Sequence, residues 1–237
     1  MTTHKIIFTP RDNRYILDDK VLPQPANKHI PQWFKQMPHY AAKENGEDFA
    51  FSKLRNSTSK RCPSFNEVFS NGFVVVAPCD IYLKIDKDGT YTWKTPSNIY
   101  EIDYHADWQF KDHYPDENIK GVFKINYPYI AITPKGFGVI QLPMLYHHNT
   151  DFYVPYGYLE TDIYHEINQQ LIITTPKIHE GILIKQGTPL NYLIPYKKDK
   201  WETKFIKQSK KYQEMHRNMS YKLSSKFSGG FFKNIKR

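Results

Sequence analysis

Short apolar runs recur along the chain and are separated by glycine, proline and aspartate. Residues 81–85 alternate Ile, Leu and Ile with Tyr and Lys, the period of two that is typical of a half-buried β-strand. Asp88-Gly89 follows this run, and that dipeptide favours a tight hairpin turn. We therefore predict a β-hairpin whose return strand covers residues 90–93.

Further short strands are predicted at regular spacing, with turn residues between them. They lie at residues 6–8, 73–76, 121–126, 130–133, 138–142, 151–154, 171–175, 181–184 and 190–194. Many short strands separated by turn signals favour a sandwich or a barrel. Strands that alternate with long helices are not indicated, which argues against a parallel α/β sheet.

Two helices are predicted. Ser64 and Glu67 have the spacing of a capping box, and Gly72 ends the short helix predicted at residues 65–70. Near the C-terminus, large apolar side chains recur at helical spacing from Trp201 to Met219. They predict one amphipathic helix over about residues 200–223, which packs either on its own domain or on a neighbouring subunit.

The first 60 residues are predicted to be irregular. Four prolines between residues 23 and 38 surround Trp33 and Phe34, which indicates an extended arm that lays aromatic side chains across a core. The chain of 237 residues is thus divided into an N-terminal arm (1–60), a β core (61–198) and a C-terminal helix with a basic tail (199–237).

Composition adds a charge asymmetry to this picture. The chain has a formal charge of +9, and the whole of this excess lies in residues 197–237, while the rest of the chain is close to neutral. Such a balance favours polyanionic partners, or it is only a surplus that keeps the protein in solution. Cys62 and Cys79 have no spacing typical of a metal site and are predicted to be free thiols. No signal peptide or membrane span is predicted, so we expect a protein of the host cytoplasm or of a virion, not a secreted one.

The stretch of 39 residues from Gly157 to Pro195 resembles the closing strands of the dUTPase and dCTP-deaminase superfamily. Members carry a strand of the form G-hydrophobic-I-D-x-D-Y-x-G-x-I and, further on, I-x-x-G-D-R-hydrophobic-A-Q-hydrophobic-I. Glu160 and Asp162 occupy the positions of the two acids, and Gly187 occupies that of the turn glycine. The resemblance implies a β-clip fold, a homotrimer, and a carboxylate that orients water or a sugar hydroxyl.

This chain also departs from that pattern. The first acid is Glu160 instead of Asp, Tyr164 comes one position late, and His165 replaces a glycine. Where the family has P-R-S-G, with Arg and Ser on the phosphates, this chain has Lys135 and Gly136. Lys135 could meet phosphate only as a point charge, and Gly136 supplies no hydroxyl. A plain type II turn is the alternative interpretation of the segment.

Two further positions complete the candidate site that the resemblance implies. Asp80 lies where the family has G-Y-D-L and would help to hold a hydrated Mg²⁺. Phe231 lies in Ser-Gly-Gly-Phe near the C-terminus, where the family has a glycine-rich arm that closes over the nucleotide. In this site Glu160 and Asp162 are the candidate catalytic residues, and Lys135, Gly136, Tyr164 and Phe231 the candidate nucleotide-binding residues.

Most of the chain also resembles a family of tailed phages and some bacteria that has no established activity. Three segments carry this resemblance, at residues 30–35, 60–65 and 187–189. It implies a phage protein with a β-clip fold. Histidines at positions 105, 113, 147 and 148 fit no known set of metal ligands, so no metal site is predicted from them.

Two hypotheses follow. The first is a phage structural or accessory protein that kept a dUTPase-like fold and lost canonical dUTP hydrolysis. The second is an enzyme or binding protein for a (deoxy)nucleoside triphosphate. We expect no cofactor, except Mg²⁺ under the second hypothesis. The expected partners are other copies in a trimer, other phage proteins or a nucleotide. Nucleic acid at the basic tail is the less favoured partner, and no membrane is expected.

Overall fold

The computed structural model describes residues 3–15, 18–40, 57–98, 100–110 and 118–225. The chain is mainly β, with several antiparallel sheets. Its contacts divide it into two compact units. The first unit comprises Met1–Met37 and Pro63–Lys198, and the second comprises Pro38–Cys62 and Asp199–Arg237. The three-part division made from the sequence stays a prediction.

All of the strands that the structure describes lie in the first unit. They are β1 (Ile7–Pro10), β2 (Gln24–Pro25), β3 (Phe73–Val76), β4 (Ile81–Ile85), β5 (Tyr91–Lys94), β6 (Ile102–His105), β7 (Gly121–Ile125), β8 (Tyr129–Ile132), β9 (Phe137–Pro143), β10 (Phe152–Tyr153), β11 (Gly157–Leu159), β12 (Gln169–Ile173), β13 (Ile182–Ile184) and β14 (Pro189–Lys197). The helices of this unit are α1 (Gln32–Gln36) and α2 (Pro63–Ser70), with short 3₁₀ turns between other elements.

The strands form four antiparallel sheets. The largest has the order β11-β9-β14-β3-β2, and the next has the order β10-β12-β7-β6. The order β13-β4-β5 makes a three-stranded sheet, and β1 pairs with β8. β14 pairs with β3 over residues 189–193 and with β9 over residues 191–197, so it is the central strand of the largest sheet.

One hydrophobic core gathers side chains from all four sheets, and the alternation along each strand decides which face enters it. In β3, Val75 joins this core while Val74 and Val76 face a second cluster on the opposite side. In β14, Leu193 joins the main core, whereas Tyr192 faces the second cluster. Because successive side chains of a strand point to opposite faces, the largest sheet is covered by apolar groups on both sides.

The hairpin predicted around Asp88-Gly89 is confirmed, because β4 pairs with β5 and Gly89 has a φ of +87°. Each other predicted strand coincides with an observed one to within a few residues. Strand β6 was not predicted, since its sequence Ile-Asp-Tyr-His has a single strongly apolar residue. Neither cysteine forms a disulfide bond, and Cys79 is buried whereas Cys62 is half-buried.

The prediction of an extended arm in the proline-rich segment is wrong in part. Its backbone is not extended throughout, because residues 26–29 form a 3₁₀ turn and residues 32–36 form α1. Proline is tolerated at a helix start, and the chain after Pro31 has no proline before Pro38. The segment nevertheless packs an aromatic side chain into the protein, as predicted. Phe34 is buried and stacks on Phe65 of α2, with ring centroids 5.6 Å apart.

The second unit contains a helix near the C-terminus, α3 (Lys210–Ser225). It begins ten residues later than the amphipathic pattern predicts, and residues 200–209 form no regular element. Among the residues that the structure describes, no helix is long and apolar enough to cross a membrane.

The core predicts a contrast between two leucines on paired strands. Leu83 of β4 is fully buried, whereas Leu183 of β13 is 52% exposed. Leu83→Ala should lower the free energy of unfolding by about 2–5 kcal/mol, because it leaves a cavity in the core. Leu183→Ala should lower it by about 1 kcal/mol or less. Urea denaturation of both variants measures the difference, and equal losses would contradict the described burial.

Candidate functional site

The turn between β8 and β9 forms one wall of the predicted site. The N–H of Phe137 donates to the carbonyl of Pro134 at 3.0 Å, and Gly136 has a φ of +81°. These features describe a four-residue turn with glycine at its third position, as in type II. A Cβ on Gly136 would meet nothing within 4 Å, so the backbone conformation, and not lack of space, favours glycine here.

A buried pair of threonines attaches the acidic loop after β11 to this turn. The hydroxyls of Thr133 and Thr161 are 2.8 Å apart, and the N–H of Thr133 donates to the carbonyl of Thr161 at 3.2 Å. The hydroxyl of Thr133 also lies 3.0 Å from the carbonyl of Phe137. Because Thr161 lies between Glu160 and Asp162, this pair holds both predicted acids beside the turn.

Both oxygens of the Asp162 carboxylate have partners. Oδ2 accepts the N–H of Gly136 at 2.9 Å, and Oδ1 accepts from Nζ of Lys198 at 2.6 Å. The side chain is only 6% exposed, so little of the carboxylate faces water. The hydrogen bond from Lys198 holds the pKa of Asp162 below its ordinary value, and the Gly136 N–H lowers it further.

Lys198 is the residue of this site that sequence reasoning missed. It follows the last residue of β14, and its own N–H donates to the carbonyl of Gly136 at 2.8 Å. Its Nζ also lies 3.2 Å from Oε1 of Glu160, whose side chain is 59% exposed. The ion pair with Asp162 raises the pKa of Lys198 above its usual value. The sequence offered only a lysine four residues after the strand predicted at 190–194.

Tyr164 and Glu166 belong to a neighbouring network. The hydroxyl of Tyr164 donates to Oε2 of Glu166 at 3.2 Å, and Asn168 donates to the same oxygen at 2.6 Å. Arg11 approaches Oε1 of Glu166 at 3.0 Å. Burial opposes ionisation of Glu166, but the bond from Asn168 and the charge of Arg11 outweigh it and lower the pKa. Tyr164 is therefore bound to a carboxylate and is largely exposed.

Asp80 holds a different turn. Its Oδ2 accepts from Nζ of Lys185 at 2.8 Å, and its Oδ1 accepts the N–H of Gln186 at 2.8 Å. The adjacent Gly187 has a φ of +81°, and its N–H donates to the carbonyl of Ala77 at 2.9 Å. The bond from Lys185, with that from Gln186, lowers the pKa of Asp80. Asp80 thus fastens the glycine turn that precedes β14.

The structure brings Glu160, Asp162 and Gly136 together around Lys198. Among the described residues, no hydrogen bond or ion pair joins Asp80 to this group, and Lys135 is exposed. Phe231 and His113 lie outside the described residues. No three His, Cys, Asp or Glu side chains of the described chain are grouped so as to hold a metal ion.

Comparison with known proteins finds no family model that matches this chain and no curated protein that matches it.

The paired Asp162 predicts a pH-dependent loss of stability. Because its pKa is below the ordinary 3.8, its contribution is present above about pH 3.8 and is lost as the pH falls through the lowered value. Asp162→Asn should lower the urea midpoint at pH 7, and the difference from the wild type should shrink near pH 2.

Glu160→Gln is the matched control. In the wild type the Glu160 carboxylate contacts the same lysine, Lys198, but is mostly exposed to water. Glu160→Gln should therefore lower the urea midpoint at pH 7 by less than Asp162→Asn does. If Asp162→Asn had no effect at pH 7, or if both variants lost equally, the pairing of Asp162 would not stabilise this region.

Proposed function

We propose that this chain is a phage-encoded structural or accessory protein, built on a dUTPase-like β-clip, that has lost canonical dUTP hydrolysis. The observation that supports the proposal is that two of its candidate carboxylates are already hydrogen-bonded on both oxygens. Asp162 and Asp80, at two of the acidic positions that the resemblance aligns, each accept one backbone N–H and one lysine ammonium.

Such pairing suits a structural role better than a catalytic one. A carboxylate that orients an attacking water needs a lone pair directed at that water. Asp162 is nearly excluded from solvent, and both of its oxygens are already bonded. A carboxylate that holds a hydrated Mg²⁺ needs its negative charge unpaired. Lys185 compensates that charge at Asp80.

The phosphate-facing part of the candidate site supports the same proposal. The Gly136 N–H, one of the backbone donors that an anion would need, is bonded to Asp162. Lys198, the cation nearest to the acids, is bonded to two carboxylates. Lys135 remains as an exposed cation without a guanidinium fork. The arrangement therefore offers little to a triphosphate.

The exposed aromatics beside β11 suit protein contacts. β11 is an edge strand of the largest sheet, and its neighbourhood exposes Tyr156, Tyr158, Ile163 and Tyr164. Edge strands have unpaired backbone groups, and exposed tyrosines are typical of protein interfaces. We propose that this surface, named here the β11 surface, joins copies of the chain in a homotrimer or binds another phage protein.

A nucleotide panel tests the loss of hydrolysis. The purified chain is incubated with each dNTP and Mg²⁺, while pyrophosphate release and thermal shift are followed. We expect no release and no shift, because the carboxylates of Asp162 and Asp80 and the N–H of Gly136 are already bonded. Turnover that is abolished by Glu160→Ala and by Asp162→Ala would overturn the proposal and support the nucleotide-hydrolysing alternative.

The β11 surface is tested by molar mass in solution. Tyr158→Lys places a charge on the edge strand and should convert a trimer into monomers in light scattering. The control Ile7→Lys changes an exposed apolar residue on β1, in a different sheet, and should leave the mass unchanged. A monomeric wild type, or a trimer that Tyr158→Lys leaves intact, would contradict the homotrimer through this surface.

A further inference from the structure

A cavity of about 400 Å³ lies within the first unit, away from the acids discussed above. It is lined by residues of β10 and β13 and by the start of β14. β10 and β13 are edge strands of two different sheets, and β14 belongs to a third. The cavity therefore forms where three sheets meet, and its volume is within the range of small-molecule sites.

Part of the cavity wall is apolar. Phe152 of β10 and Ile182 and Ile184 of β13 line it, and all three are buried members of the main hydrophobic core. Their positions are set by strand pairing, since Phe152 pairs with Ile173 and Ile184 pairs with Ile81. This wall suits a ring or a branched aliphatic group, because burying such a group removes apolar surface from water.

The rest of the lining includes polar side chains. Thr188 lies on it, and so does Asp151, whose backbone is tightly held. The Asp151 N–H donates to Oδ1 of Asn149 at 2.9 Å, and its carbonyl accepts the N–H of Thr174 at 3.0 Å. Within the described part of the chain, the Asp151 carboxylate makes no hydrogen bond or ion pair.

His147 adds a further polar group to the lining. Its Nε2 is buried and has no hydrogen-bond partner in the structure. Burial lowers the pKa of His147, which favours the neutral ring, although a bond to the His29 backbone opposes this. The next residue, His148, is in the left-handed region with a φ of 53°. Left-handed backbone in a residue other than glycine is costly and is found preferentially at functional sites.

The loop that carries His147 is anchored by the N-terminal segment. Nε1 of Trp33 donates to the carbonyl of Tyr146 at 2.8 Å, and the Trp33 and His148 rings lie 5.8 Å apart. The Tyr146 ring also packs on Phe65 of α2, with centroids 4.6 Å apart. The aromatic side chains of the proline-rich segment thus fix one rim of the cavity.

The charges at the cavity select one class of ligand. Of the described residues that line it, none is lysine or arginine, and Asp151 is an acid without a partner. A phosphate or a carboxylate would meet this charge uncompensated, whereas an ammonium group would pair with it. We propose that the cavity binds a small primary amine that carries an aromatic or branched aliphatic group. The ammonium group bonds to Asp151, and the apolar group lies against Phe152 and Ile184.

Benzylamine is the probe, with benzyl alcohol and benzoate as analogues of similar size that are neutral and anionic. Binding is followed by titration of ¹H–¹⁵N spectra of the full chain. We expect benzylamine to shift the amides of Asn149, Leu183 and Thr188, which line the cavity. Benzyl alcohol should bind about tenfold more weakly, since it lacks the charge-assisted bond, and benzoate should not bind.

Two variants locate the interaction. Asp151→Asn keeps the backbone bonds and the size of the side chain, and should weaken benzylamine binding about tenfold while leaving benzyl alcohol unchanged. Leu183→Lys places an ammonium group at the partly exposed rim and should weaken benzylamine through repulsion. Asp103→Asn, on β6 and outside the cavity, is the control and should bind as the wild type does.

Three results would overturn the proposal. They are the absence of shifts with benzylamine at millimolar concentration, equal binding of the three probes, and unchanged benzylamine binding in a folded Asp151→Asn variant. If Asp151→Asn fails to fold, Leu183→Lys decides, and undiminished binding there contradicts the assignment. The proposal is independent of nucleotide hydrolysis, since the cavity and the Asp162 group share no residue.

Discussion

The carboxylate of Asp162, almost withdrawn from water, requires partners, and the local structure is built around supplying them. A buried charge without compensation would be strongly destabilising. Gly136 contributes an N–H from the turn before β9, and Lys198 contributes an ammonium group from the end of β14. Three segments far apart in the chain are joined at this one group, beside the buried threonine pair. The turn, the acidic loop and the central strand of the largest sheet therefore depend on each other.

Two other acids, Asp80 and Glu166, are also paired with a cation and a hydrogen-bond donor. Asp80 fastens the turn at Gly187 through Lys185 and the Gln186 N–H, and Glu166 binds Arg11 and Asn168. Each carboxylate joins segments that would otherwise end in unpaired polar groups. Each of these acids therefore has a structural reason to be present, because it bonds to the loops beside it. For this reason we assign these acids to the architecture and look for ligand chemistry at Asp151, whose carboxylate has no such partner.

Features that depend on a few neighbouring residues could be predicted from the sequence, whereas features that depend on distant residues could not. The β4–β5 hairpin and the Gly136 turn follow from dipeptides, because positive φ angles favour glycine whatever the rest of the fold does. Helix α1 was missed because prolines flank it closely, and β6 because its apolar pattern is weak. Asp162 was identified as a candidate from a motif. Its partner Lys198 lies 36 residues away and is one of many lysines. The cavity depends on where three sheets meet, which no local pattern encodes.

We assign Asp162 to the architecture, as a carboxylate bonded to the Gly136 N–H. The most direct measurement is an NMR titration that follows the side-chain carboxyl of Asp162 and the amide proton of Gly136 in the same samples. We expect that Asp162 titrates below 3.8, that the Gly136 amide shift follows the same titration, and that the hydrogen exchange of this amide accelerates once the carboxyl is protonated. An Asp162 that titrates at or above its ordinary value, with a Gly136 amide that does not respond, would contradict the claim.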